Sequence, residues 1–77
     1  MPHVIVKLYA GKTDEQKTLL AGEIAKALIA TIGSTEASVS VSFEDVAPAD
    51  WPEKVYKPEI LDKPDQLFRK PGYNPFK

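Results

Sequence analysis

Proline at position 2 is the residue of this sequence that carries the most distinctive chemistry. Removal of an initiator methionine ahead of a small second residue would leave the Pro2 nitrogen as a secondary amine. An α-amino group titrates at about 7.7 to 8.0, and apolar surroundings or a nearby cation push an amine lower, toward what a general base needs near neutral pH. With Met1 attached, the same nitrogen is a tertiary amide and has no basic lone pair. Proline also suits the first residue of a strand because no ladder N–H is needed there, and taken alone this plainer reading carries more weight. His3 adjoins the proposed base, yet period-two alternation points it to the opposite sheet face, so it reads as structural. Tyr9, Tyr56 and Tyr73 are acids in principle, with no spacing that selects one. Asp14-Glu15 and Glu44-Asp45 are neighbours in sequence and diverge, so neither pair makes an acid/base dyad. No cysteine and a single histidine exclude thiolate nucleophiles and the usual zinc sites, and no metal is expected.

Pro2 must be held by the elements around it. Residues 2–9 alternate, with Val4, Val6 and Leu8 on one face, and read as a strand ended by Gly11. Thr13-Asp14-Glu15-Gln16 is a capping box, so a helix should start at Thr13 and stop at Gly33. Its apolar stripe is read as Leu20, Ile24, Ala27, Leu28 and Thr31 or Ile32, with Lys17, Glu23 and Lys26 facing water. Residues 37–46 alternate again, Val39, Val41 and Phe43 against serines and Glu44, which gives a second strand. Strand, helix, strand is a βαβ unit, whose strands lie parallel with a right-handed crossover. Beyond Val46 come six of the seven prolines, which forbid another long uninterrupted helix. Short helical pieces are expected near 49–56 and from Pro58 to about Lys70, the latter kinked or restarted at Pro64. Lys70-Pro71-Gly72-Tyr73 reads as a turn before a tail. Leu61, Leu67, Phe68, Tyr73 and Phe76 supply apolar side chains for docking.

The expected organisation is one domain over residues 1–77, a βαβ core at about 2–46 with a proline-rich helical extension at 47–77. So short a chain buries only about 60% of the surface its unfolded form exposes, and a two-stranded sheet is too narrow to stand alone. With no disulfide and no metal available, self-association is the remaining source of stability. A net charge of −1, from 10 Lys plus Arg and 11 Asp plus Glu, gives no footprint for nucleic acid. The longest apolar stretch, around 25–32, falls short of a membrane span, and no export signal precedes it. No membrane partner is expected, and the cytoplasm is the default compartment.

Met1-Pro2-His3-Val4-Ile5-Val6-Lys7, then Gly11-Lys12-Thr13-Asp14-Glu15-Gln16-Lys17, a helix, and Ser38-Val39-Ser40-Val41 form a pattern that resembles the 4-oxalocrotonate tautomerase family. The resemblance extends through Trp51, and the tail with Lys70-Pro71-Gly72-Tyr73 is similar to a dimeric bacterial branch. It implies an α/β (α+β) protomer that pairs into a four-stranded sheet backed by helices. It also implies that Pro2 is the catalytic amine, taking a proton from one carbon of an enol or α-keto acid and returning it to another. Lys12 falls where well-known members place an arginine that binds a substrate carboxylate; lysine keeps the charge and loses the bidentate fork. Ser40 falls at a second arginine, which argues against dicarboxylate substrates. Trp51 matches an aromatic pocket residue that would supply an apolar wall. Outside the resemblance, Lys12 is a solvated residue before a helix, Ser40 a polar strand residue with a substrate hydrogen bond as the lesser alternative, and Trp51 core or interface.

The expectation is therefore a cofactor-independent isomerase, a tautomerase of a small phenylpyruvate-like α-keto acid, with Pro2 catalytic and Lys12, Ser40 and Trp51 binding substrate. Two alternatives stay open. One is proline-dependent hydration or dehalogenation of an unsaturated acid, which needs a water-activating carboxylate that no residue clearly supplies. The other is a non-catalytic oligomeric binding module, kept open by the missing cation at Ser40. The extension from Pro58 to Lys77 favours a homodimer over a hexamer, because it would cover surface that further dimers need.

Overall fold

Alternating β-branched residues build β1 (His3–Tyr9) and β2 (Ser40–Val46), which pair as a two-stranded sheet. The protein is described by a computed structural model covering residues 1–77. His3 meets Ser40 and Lys7 meets Glu44, and both pairs lie 37 residues apart in sequence. A constant offset means that the strands run in the same sense, as the βαβ reading requires. The chain forms two compact units, Met1–Asp45 and Val46–Lys77.

Helix α1 (Asp14–Ile32) connects the strands. Its start is the expected capping box: the Gln16 N–H donates to Thr13 Oγ1 at 3.1 Å, and the Thr13 N–H donates to Gln16 Oε1 at 2.9 Å. Gly33 ends it in the left-handed region at φ 72°, and Gly11 at φ 124° turns the chain between β1 and α1. Both conformations are ones that a side chain disfavours.

The helix stripe differs from the expected one. Ile24 and Leu28 are half-buried as expected and are joined by Ala21 and Ala25, whereas Leu20, Ala27, Thr31 and Ile32 are exposed. Lys17 does not face water: its side chain is only 19% exposed, and Nζ lies 2.9 and 3.0 Å from the two Asp45 carboxylate oxygens. This ion pair turns the first part of α1 toward β2, and the small Ala21 and Ala25 side chains suit close approach to the sheet. Val4, Val6, Leu8, Val41 and Phe43 form the half-buried sheet face. Ile5 and Tyr9 stay about half exposed on the other. The second strand also starts later than expected. Residues Glu36–Ser38 form a 3₁₀ turn, in which the Ser38 N–H and hydroxyl both donate to the Thr35 carbonyl. Local serine bonding of this kind competes with the strand ladder.

The second unit departs further from expectation. A 3₁₀ turn (Pro48–Asp50) leads into one π-helix (Pro52–Leu61) that passes through Pro58, where two separate helical pieces were expected. In an α-helix the Pro58 ring would press on the carbonyl four residues back; the wider π turn relieves that contact, and the register persists to the Asp62 N–H, which donates to the Lys57 carbonyl at 3.0 Å. Val46, Val55 and Tyr56 are the buried apolar residues of the whole chain. The tail docks through Tyr73 and Phe76, whose ring centroids lie 5.4 and 6.0 Å from that of Tyr56. Phe68, at 98% exposed, docks on nothing, and Leu61 is half exposed.

Candidate active site

Pro2 precedes β1 by one residue and is half-buried. Its carbonyl accepts the Ser40 N–H at 3.2 Å. One residue on, His3 Nδ1 and Ser40 Oγ share a hydrogen at 2.6 Å. Ser40 therefore holds both residue 2 by its backbone and residue 3 by its side chain. Of the sequence candidates, the fold brings Pro2 and Ser40 together and adds His3, which sequence reasoning had set aside. The signal that finds His3 is the 37-residue register, which becomes legible only once the strands are paired.

Lys12 stands at the other end of β1, exposed, between the Gly11 turn and the Thr13 cap. It lines a cavity of about 130 Å³ with Leu8, Gln16, Lys17, Leu20 and Phe43. At about 3.3 Å per residue, β1 spans roughly 23 Å. That is beyond the reach of one lysine side chain. Pro2 and Lys12 of one chain consequently do not face the same small molecule.

Trp51 belongs to the second unit, where its indole N–H donates to Tyr73 Oη at 2.8 Å. The Tyr56 hydroxyl donates to the Tyr73 carbonyl at 3.0 Å. Tyr73 thus links the tryptophan to the buried tyrosine, an arrangement that spacing did not single out among the three tyrosines. No helix is long and apolar enough to cross a membrane.

Comparison with known proteins places this arrangement in a class. The family model described as tautomerase enzyme matches residues 2–52. A tautomerase PptA of Enterobacter sp. (strain 638) is 44% identical over 75 residues, covering 96% of this chain and 99% of that one. A probable tautomerase of Xylella fastidiosa (strain 9a5c) is 38% identical over 73 residues, covering 95% of this chain and 89% of that one. Among solved structures, YwhB, described as a homologue of 4-oxalocrotonate tautomerase, superposes with a TM-score of 0.58 at 37% identity over 60% of this chain and 75% of its own. The fold is the small α+β, β-α-β class of the 4-oxalocrotonate tautomerases. The chain belongs to the tautomerase family and is an enzyme of the isomerase class.

Proposed function

We propose that this tautomerase interconverts the enol and keto forms of a small monocarboxylic α-keto acid of the phenylpyruvate kind, with the Pro2 amine as base and then acid and with no cofactor. The observation that best supports it is the anchoring of Pro2 by the Ser40 N–H at the head of β1. A base held by a sheet is aimed before the substrate arrives, which lowers the entropic part of the barrier.

In the enolising direction, after loss of Met1, the prolyl lone pair takes a proton from C3. The C–H pair becomes the C2–C3 double bond, and the carbonyl π pair moves to oxygen, which takes a proton from solvent. In reverse, the prolyl ammonium returns a proton to C3 while the enol hydroxyl gives one up.

Lys12 supplies the carboxylate anchor, and the length of β1 supports reading it as a residue of a second copy. Two copies related by a two-fold axis through a shared sheet pair their edge strands antiparallel, which sets the end of one β1 toward the start of the other. A homodimer sheet of four strands also covers apolar side chains that one unit leaves half-buried. Lys12→Ala raises KM by about 10-fold and changes kcat little, because a solvated ion pair to the carboxylate acts on ground and transition states alike. Steady-state kinetics at fixed ionic strength checks this, and a loss confined to kcat contradicts the anchor.

The reading as a whole is tested by the intact mass of untagged protein and by ketonisation of phenylenolpyruvate followed by absorbance. A preparation with the mass of the chain lacking Met1 accelerates ketonisation well above buffer. No acceleration from fully processed protein overturns the proposal.

A further inference from the structure

Residue 2 is an awkward place to hold a catalytic atom, since a chain terminus frays unless it is tied down. One hydrogen bond ties it through the backbone, from the Ser40 N–H to the Pro2 carbonyl at 3.2 Å. It lies at the very start of the β1–β2 pairing, where a terminus frays most readily. The second bond, His3 Nδ1 to Ser40 Oγ at 2.6 Å, fixes the residue on the other side of that peptide to the same partner. With both made, the Pro2–His3 peptide plane is set. Only the torsion between the Pro2 α-carbon and its carbonyl remains to aim the ring nitrogen.

We infer that His3 is a positioning residue for the prolyl base, acting with the Ser40 hydroxyl as a side-chain clamp on the first peptide of β1. The inference rests on the reading of Pro2 as the base. It gives Ser40 a different task from contacting substrate, because its hydroxyl is already engaged by the imidazole. Nothing in the clamp requires His3 to touch the substrate or exchange a proton with it. His3 and Ser40 are both exposed within the chain, so their bond competes with water and adds little to stability. Its effect falls on alignment, where a displacement of about 1 Å costs up to about 10²-fold in rate.

The test compares wild type with His3→Ala, His3→Asn, Ser40→Ala, Ser40→Thr, the double variant His3→Ala/Ser40→Ala, and Pro2→Ala as control. Each is assayed for kcat and KM on phenylenolpyruvate and for its thermal midpoint. His3→Ala and Ser40→Ala should each lower kcat about 10-fold with KM nearly unchanged and the midpoint held, as expected for a group acting through the alignment of another. The double variant should be no worse than either single, because both remove the same bond. His3→Asn and Ser40→Thr, which keep a hydrogen-bonding atom at each end, should recover most of the loss. Unchanged kcat in both alanine variants, or losses that multiply in the double variant, overturns the clamp while Pro2→Ala remains impaired. If Pro2→Ala matches wild type, the prolyl base itself is rejected and the clamp goes with it.

Discussion

Pro2→Ala should lower kcat for ketonisation of phenylenolpyruvate by about 10²-fold, within the 10²–10⁴ that a positioned acid or base contributes. The loss is partial because alanine after Met1 removal still presents an α-amine, primary and free to rotate where proline is secondary and locked in a ring. Protein that keeps Met1 gives the sharper comparison: its residue-2 nitrogen is a tertiary amide, so activity should fall in proportion to the unprocessed fraction measured by intact mass. A Pro2→Ala enzyme that runs at the wild-type rate would sink the mechanism. KM should move little, since the nitrogen engages the proton in flight more than the resting acid.

Tyr56→Ala should be the most damaging change to stability, at about 3–5 kcal/mol for a buried aromatic truncated to alanine. Tyr56 is 6% exposed, its ring meets Tyr73 and Phe76, and its hydroxyl donates to the Tyr73 carbonyl. Few other residues share the load, because the buried apolar set of the chain is only Val46, Val55 and Tyr56. Tyr56→Phe removes the hydrogen bond alone and should cost about 1 kcal/mol, or about 4–8 °C in Tm for a domain of this size. In Tyr56→Ala the tail should also come away, so trypsin should cut after the exposed Arg69 much faster than in wild type. A Tyr56→Ala protein with an unshifted Tm and unchanged cleavage would show that the tail is held by something else.

Local rules were enough for the order and the helix ends of the first unit. The Thr13 capping box, Gly33 and the two alternating runs are short-range signals that the fold keeps, because each satisfies nearby backbone groups or buries one face of a short element. They were not enough where another bond, local or long-range, competed with the pattern. Ser38 bonding to Thr35 took residues 37 and 38 out of the expected strand, and the Lys17 pair with Asp45 goes with a stripe that keeps only Ile24 and Leu28 of the expected one. In the second unit, a proline inside a helix reads as a break by propensity, yet the π register carries the chain through Pro58.

The sequence by itself determined the βαβ order, the candidate base at Pro2 and the family resemblance that the comparisons bear out. All of these depend on residue type and short spacing. Only the tertiary structure decided which candidates meet. It paired the strands at an offset of 37 residues, and so gave Pro2 and His3 the same partner in Ser40. Contacts across so long a loop depend on how two strands register through a helix packed over them, and that register is not written in the spacing of either strand alone.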